Sequence, residues 1–297
     1  MGARITVIIP TLNRAGDLRK CIEALEAQTM ARGDFEVMVV DGGSEDGTLR
    51  LLEEKEAAGG IRLGHLVERR KGAGVARNSG IEASSSEFVA FTDDDCVPEP
   101  VWLSALLAGF PDDRRCAGVG GPIVPANPGN VINRYCMHCR NWKDISFGGR
   151  TMHIPTMNVL YRRSALLDVG GFEGGVIIGE DIHLSQKIAK RGYYQKSIGA
   201  GKVVHKDPAT LGELYHKAWL HGTGIAEVGR IFGKRMKSGS LSLLAELLFR
   251  KDYAGRISGT VKLTPGDSIA FGLLHRLWII GVHRGYAHRM KDYISSR

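Results

Sequence analysis

Three adjacent carboxylates, Asp93, Asp94 and Asp95, stand directly after the apolar run at residues 88–92. Such charges repel one another unless a cation lies among them. A divalent metal with hard oxygen ligands is the natural partner, and phosphate oxygens would complete its shell. An acidic surface turn is the plain alternative, but the strand-like run in front of the triplet favours the metal. A second carboxylate pair, Glu180-Asp181, follows the glycine-rich stretch Gly170-Gly171-Phe172 and Gly174-Gly175. Flexible backbone beside two carboxylates suits a general base facing a substrate, although acidic residues in the first turn of a helix need no such reason.

Two further stretches mix glycine with residues that bind anions. Asp41-Gly42-Gly43-Ser44-Glu45-Asp46-Gly47-Thr48 follows a β-rich run and opens a helix. Its glycines permit close ligand approach, and the N–H groups of the helix start can hold an anion. An ordinary capped strand–helix turn would carry the same residues, and the spacing is not that of a GxGxxG dinucleotide fingerprint. In Lys71-Gly72-Ala73-Gly74-Val75-Ala76-Arg77-Asn78-Ser79-Gly80, Arg77 can clamp a phosphate through two parallel bonds or pair with an aspartate of the protein. The stretch lacks the GKS or GKT ending of a P-loop, which disfavours a Walker-type ATPase. Cys136 and Cys139 have no second CxxC to complete a zinc site, though His153 could join them.

Elements must position these residues. Residues 4–9 form a β-branched run ending at Pro10, the pattern of a buried strand. Further strands are expected at 35–40, 62–68 and 88–92, and helices at 17–29, 46–57, 74–84 and 100–110. Alternating β and α segments with short links imply a mainly parallel sheet covered by helices. In such sheets ligands bind beyond the carboxyl ends of the strands, where Thr11, Asn13, Asp41 and the three aspartates all fall. The middle is less regular: strands are expected at 118–124, 153–161 and 202–205, helices at 163–169 and 180–191, and residues 127–147 have no clear pattern. Beyond residue 208, periodicity predicts helices at 211–231, 241–249 and 268–282.

Of the 297 residues, 43% are hydrophobic and 24% charged, which excludes a disordered chain, a collagen or a disulfide scaffold. The net charge of +8 is unevenly spread: residues 1–233 hold 28 Lys/Arg and 28 Asp/Glu, residues 234–297 hold 12 and 4. A basic tail on a balanced body points to a membrane surface rather than to a general nucleic-acid binder. Five scattered cysteines make no secreted framework, the N-terminus does not read as a signal peptide, and no apolar run reaches the ~20 residues of a bilayer span. The expected location is the cytoplasm, at the inner face of the cell membrane.

Val7-Ile8-Ile9-Pro10-Thr11-Leu12-Asn13-Arg14, Val39-Val40-Asp41-Gly42-Gly43-Ser44-Glu45-Asp46-Gly47-Thr48, Ala76-Arg77-Asn78-Ser79-Gly80, Phe91-Thr92-Asp93-Asp94-Asp95 and Gly170-Gly171-Phe172 leading to Glu180-Asp181 stand in the order of known motifs. On these, the first two-thirds of the chain resembles glycosyltransferase family 2. The resemblance implies the GT-A fold: α/β, Rossmann-like, a mainly parallel sheet with helices on both faces, here with a C-terminal helical segment. It implies a catalytic domain over 1–207, with a nucleotide-binding half (1–115) and an acceptor half (116–207), followed by a basic helical region over 208–297. Pro10, Thr11 and Asn13 would line the nucleotide pocket, Asp41 would bond the base, and Arg77 would lie near base or diphosphate. Asp93, Asp94 and Asp95 match the family's DxD, Asp93 approaching the ribose or sugar, Asp94 on the donor side and Asp95 binding Mn²⁺ or Mg²⁺. Asp181, with Glu180 beside it, matches the catalytic base. Gly42 stands where many members carry a second aspartate, which bears on nucleotide preference.

The implied reaction is inverting transfer from a UDP- or GDP-linked sugar to the hydroxyl of a glycan or lipid-linked acceptor, in cell-envelope glycan synthesis. Asp181 would take the acceptor's proton and the metal would neutralise charge on the departing diphosphate. His205, after the last expected strand, is a candidate metal or diphosphate contact, or a satisfied structural histidine. The competing reading is a non-catalytic nucleotide-sugar-binding subunit; the intact acidic residues argue against it. A nucleotidyltransferase would want a glycine-rich, basic N-terminal loop, which Pro10-Thr11-Leu12-Asn13 is not. Residues 208–297 match no specific motif, and the oligomeric state is open. Leu243, Leu244, Leu247 and Leu248, and then Leu273, Leu274, Leu277 and Trp278, form apolar stripes rimmed by cations, a pattern that suits helices lying on a membrane; the alternative is that both stripes pack on the catalytic domain or on a second subunit.

Overall fold

Strands buried on both faces read as continuous β-branched runs, and the centre of the sheet is made of them. Six of the seven residues of β1 (Ile5–Thr11) are buried. It lies parallel to β2 (Phe35–Asp41) on one side and β4 (Phe88–Phe91) on the other. The β1–β2 register sets Thr11 opposite Asp41, so their polar ends meet at one edge. The computed structural model describes residues 2–141, 146–147, 150–151, 153–231 and 265–295.

Beside these strands stand β3 (Leu63–Val67), β6 (Cys116–Gly120), β8 (Ser146–Phe147), β9 (Arg150–Thr151), β10 (Val159–Arg162) and β11 (Tyr194–Ser197). Among the described residues the main sheet runs β3-β2-β1-β4-β10-β6-β11-β9-β8. It is mostly parallel at its centre; β10 enters antiparallel between β4 and β6. A small sheet joins β5 (Cys96–Pro98), β12 (Val203–His205) and β7 (Ile123–Pro125).

Alternation along β1 sends its side chains to two cores. Ile5, Val7 and Ile9 face α1 (Ala15–Glu26), α2 (Thr48–Ala58) and α4 (Trp102–Ala108). Ile8 faces α3 (Ala73–Ala83), α6 (Arg163–Asp168) and α7 (Glu180–Lys190). Helices therefore cover both faces. α1 buries Leu18, Cys21, Ile22 and Leu25, an apolar stripe at helical spacing.

The middle of the chain differs from expectation in its strands. Gly121-Pro122 splits residues 118–124 into β6 and β7, since proline brings no N–H to a ladder. The expected strand at 153–161 begins only at Val159. β5 and β11 were not anticipated. β11 is the polar sequence YQKS, and its buried Gln195 accepts a bond of 2.6 Å from the Tyr161 hydroxyl.

The chain divides into two compact units. The first comprises Met1–Val124, Asp144–Gly174 and Glu180–Lys206, and holds the sheets just described; the second comprises Pro125–Lys143, Gly175–Gly179 and Asp207–Arg297. In the second, α5 (Val131–Asn141), α8 (Leu211–Ile231) and α9 (Pro265–Ser295) share a core of Ile132, Tyr135, Cys136, Leu214, Phe271 and Leu274. α8 and α9 touch backbone to backbone. A Cβ at Gly281 would lie 2.7 Å from that of Ala218, and one at Gly285 would fall on the carbonyl oxygen of Trp219. α9 thus runs through Gly285 and extends well beyond the expected 268–282. Of the stripe Leu273, Leu274, Leu277 and Trp278, only Leu273 is exposed; the others pack on this core, and among the described residues the large apolar side chains that α9 exposes are Ile269, Leu273 and Ile280. His216 stacks on Trp219, and His221 tilts against Trp278. The expected helix at 241–249 lies outside the described residues. Among the described residues no helix is long and apolar enough to cross a membrane.

Candidate active site

Beyond the ends of β1 and β2 the chain is laced into a rim. The buried Asp41 carboxylate accepts the backbone N–H of Gly43 at 3.0 Å and of Ser44 at 2.9 Å, and also the Ser44 hydroxyl. Asn13 is the one non-glycine residue with a left-handed backbone among the described residues, φ 54°. Asparagine tolerates that conformation better than most residues, and here it is tied on both sides: its N–H donates to Ser44 Oγ at 2.7 Å, and its Oδ1 accepts the Glu45 N–H at 2.8 Å. Gly42 N–H donates to the Thr11 carbonyl at 2.8 Å. Pro10, half-buried, leads into this rim.

The acidic triplet follows β4 and meets side chains from β1, β12 and α3 and from the turn ahead of α1. Thr11 Oγ1 donates to Asp94 Oδ2 at 2.8 Å. Arg14 Nη1, just ahead of α1, donates to Asp95 Oδ2 at 2.7 Å and to Asp94 Oδ1 at 3.3 Å. Pairing of β12 with β5 sets His205 opposite Cys96, which brings His205 Nε2 to 3.6 Å from Asp95 Oδ1. Burial pushes the Asp94 carboxyl up to about 7; Arg14 and Thr11 pull against that rise, and Asp95 and Asp93 add to it.

Arg77 does pair with an aspartate. From α3 it donates to Asp93 Oδ1 at 2.7 Å and, through its other terminal nitrogen, to Glu180 Oε1 at 2.8 Å, while only 2% of its side chain is exposed. Burial works against its charge, but the attraction of Asp93 and Glu180 outweighs it. The guanidinium lies 5.6 Å from the centre of the Phe172 ring, a cation–π distance. Phe172 is itself clamped: Asn78 donates from Nδ2 to its carbonyl at 2.9 Å and accepts its N–H at 2.8 Å. Gly171 turns the chain into this clamp at φ +58°, with Asn78 filling the space a Cβ would need.

Glu180 and Asp181 open α7. Burial holds Glu180 above the ordinary carboxylate range, with Arg77 opposing and Asp181 adding to the shift. The buried His153 brings Nε2 to 3.6 Å from Asp181 Oδ2, so this histidine stands by the carboxylate pair, while Cys136 packs in the helical core.

The structure thus groups Thr11, Arg77, Asp93, Asp94, Asp95, Glu180 and His205 through direct contacts and chain neighbours, with Asp181 next to Glu180 at the start of α7 and Pro10, Asn13 and Asp41 forming the neighbouring rim. Arg14 was given no role on sequence, and His153 was considered only as a partner of Cys136 and Cys139 in a zinc site. Arg14 lay inside a recognised motif, where a cation one residue after Asn13 was the available signal. His153 carries no local signal, because its approach to Asp181 depends on tertiary folding. Among the described residues no group of three or more His, Cys, Asp or Glu side chains is set to enclose a metal. Asp95 and His205 offer a two-point hold.

The family model for glycosyl transferase family 2 matches residues 6–170. The glycosyltransferase AglE of Haloferax volcanii is 33% identical over 230 residues, covering 75% of this chain and 73% of AglE. A pre-mycofactocin glycosyltransferase of Mycobacterium tuberculosis is 33% identical over 234 residues, 74% of this chain but 46% of that protein, so the chain spans less than half of that relative. The mannosyltransferase PcManGT from Pyrobaculum calidifontis, solved with GDP-Man and Mn²⁺, aligns over 98% of this chain and 88% of its own with a TM-score of 0.69 at 19% identity. S. aureus TarS in complex with UDP aligns over 99% and 92% with a TM-score of 0.53 at 20% identity. These structures share the fold, and with a family match over more than half its length and a relative similar over more than two-thirds, the chain belongs to glycosyltransferase family 2 and is a glycosyltransferase with the GT-A fold.

Proposed function

We propose that the protein moves a sugar, with inversion, from a UDP- or GDP-linked donor to an acceptor hydroxyl, with the help of a divalent cation. The observation that carries this reading is the chain of contacts from Thr11 and Arg14 through the three aspartates to Arg77 and Glu180, which unites donor-side and base-side carboxylates at one edge of the sheet. The GDP-Man and Mn²⁺ bound to PcManGT support the donor class and the metal.

Pro10, Thr11, Asn13 and Asp41 take the nucleotide side, with Asp93 and Asp94 facing the donor. Arg77 serves the donor by fixing Asp93. Asp95 and His205 would hold Mn²⁺ or Mg²⁺, with Asp93 nearby. The donor set fits such an ion: an oxygen and a nitrogen 3.6 Å apart, both largely buried, beside a carboxyl that burial keeps reluctant to ionise. A mixed oxygen–nitrogen pair suits a transition ion better than Mg²⁺, which prefers oxygen alone. When bound, the cation supplies positive charge opposite the leaving diphosphate. Asp181 accepts the acceptor's proton as its oxygen attacks the anomeric carbon, and His153 orients that carboxylate. A single displacement with one base inverts the anomeric centre.

Residues 1–115 and 116–207 then serve donor and acceptor, and residues 208–297 bring the enzyme to a lipid-linked acceptor at the cytoplasmic face of the cell membrane. The exposed face of α9 supports this: Ile269, Leu273 and Ile280 alternate with the cations Arg276, Arg284 and Lys291. A thermal-shift panel of nucleotide sugars with Mn²⁺ tests the donor, since a ligand of the native state raises stability by mass action. One donor should stand out, and its slow hydrolysis should stop in EDTA; no responding donor, or hydrolysis indifferent to EDTA, defeats the reading. The full chain should pellet with anionic vesicles and be released by salt, each cation near the surface adding on the order of 1 kcal/mol; a chain that ignores them defeats the membrane contact.

A further inference from the structure

The three aspartates are counter-charged by the protein itself, and the two cations that do this are held very differently. Arg77 is buried and bonded to two elements at once. Arg14 lies at the Ncap position of α1 with non-helical backbone, φ −139° and ψ 39°. Its side chain is 49% exposed, and one nitrogen makes both of its bonds, to Asp94 and to Asp95. Lys206, next to His205, takes no part; its ammonium is held by Asp17 at 2.8 Å. Arg14 is therefore the cation that can leave.

We propose that Arg14 is a resident counter-ion: it occupies the place of the divalent cation at Asp95 in the donor-free protein, and it transfers to the diphosphate when metal and nucleotide enter together. The inference rests on the metal reading given above. A divalent ion on Asp95 would face the guanidinium at contact range, where like charges repel, so metal binding must displace Arg14 from Asp95 and weaken its hold beside Asp94. A nucleoside diphosphate gives the displaced guanidinium two parallel acceptors. Metal and nucleotide therefore favour each other's binding, and by linkage the enhancement is reciprocal. A free pool of metal would leave the site largely closed until a donor arrives.

The test is Mn²⁺ binding to the full chain, read by the paramagnetic resonance signal of the free ion, with and without UDP or GDP, for the wild type, Arg14→Gln and Arg14→Lys. Arg14→Gln should bind Mn²⁺ alone about tenfold more tightly, equivalent to ~1.4 kcal/mol, and should lose most of the gain that nucleotide brings. Arg14→Lys keeps the charge and should restore the weak binding of Mn²⁺ alone. Because the side chain is half exposed, both variants should melt within a few degrees of the wild type in EDTA. If the wild type binds Mn²⁺ and Arg14→Gln binds it alone no more tightly, the counter-ion role is wrong while the metal reading stands. If no variant binds Mn²⁺ even with nucleotide, the metal reading falls and this inference with it.

Discussion

Replacing Arg77 by methionine removes the one group that joins Asp93 to Glu180. The guanidinium is 2% exposed, and its two carboxylate partners are 27% and 12% exposed. Methionine keeps much of the volume and none of the charge. Asp93 can recover some solvation from water, but Glu180 is left buried without its counter-ion. Breaking a buried pair by removing one partner typically costs ~3–5 kcal/mol. At ~2–4 °C per kcal/mol for a unit of this size, the sheet-bearing unit should melt roughly 10 °C lower. A sharper signature lies in pH. Burial already raises the Glu180 carboxyl above its ordinary 4.5, and Arg77 opposes that rise. Without Arg77 the folded value climbs further while the unfolded value stays put. A group whose folded pKa is raised contributes stability that is fully present below its unfolded pKa and is lost as pH rises through the folded one. The gap between mutant and wild type should therefore be small near pH 4 and widen toward pH 8. Calorimetric melting of both proteins in EDTA across that range is the assay. A shift of only a degree or two at pH 8, or a gap that does not change with pH, would refute the idea that Arg77 stabilises this site by charge.

Asp181→Asn should retain nucleotide binding and lose about 10²–10⁴ in the rate of transfer; single-turnover kinetics at saturating donor would show whether near wild-type turnover survives, in which case another group is the base. Asp95→Ala should abolish the Mn²⁺-dependent part of nucleoside diphosphate affinity by titration calorimetry, and an unchanged affinity would remove Asp95 from the metal site. Gly285→Ala should destabilise the helical unit by ~1–3 kcal/mol or more, because the new methyl group meets a backbone carbonyl that cannot rotate away; melting and protease resistance identical to the wild type would show that α8 and α9 do not pack as described.

The centre of the sheet was legible because β1 and β4 are buried on both faces and run almost wholly apolar, with β2 only partly exposed at Glu36 and Met38, while the ends of β1 and β2 must be polar to meet a ligand. That contrast is local and can be read residue by residue. The three-residue β5 and the polar β11 were not, since nothing in Tyr194–Ser197 except its neighbours makes it a strand. The acidic residues of the site were legible as types, but their connections were not. The bond of Arg77 to Glu180 spans 103 residues, and His153 reaches Asp181 from a loop ahead of β10 that the sequence reads as strand. In α9 the apolar residues were visible, but which of them face the core depends on α5 and α8: Leu274 turns inward and Ile269 outward.

Backbone contact at Gly281 and Gly285 makes the pairing of α8 with α9 less dependent on its surroundings than their shared apolar core of Leu214, Phe271 and Leu274 would be alone. Helices that meet through large apolar side chains are held together by the expulsion of water, and they lose that force in an oily environment. Helices that meet through glycine depend on dispersion and close Cα–H···O approach, which persist where water is absent. If residues 208–297 meet a membrane as proposed, the pair can keep one geometry while its outer face passes from an aqueous to a lipid setting. Its exposed isoleucines and leucine are then free to answer to the medium without any rearrangement of the helices that carry them.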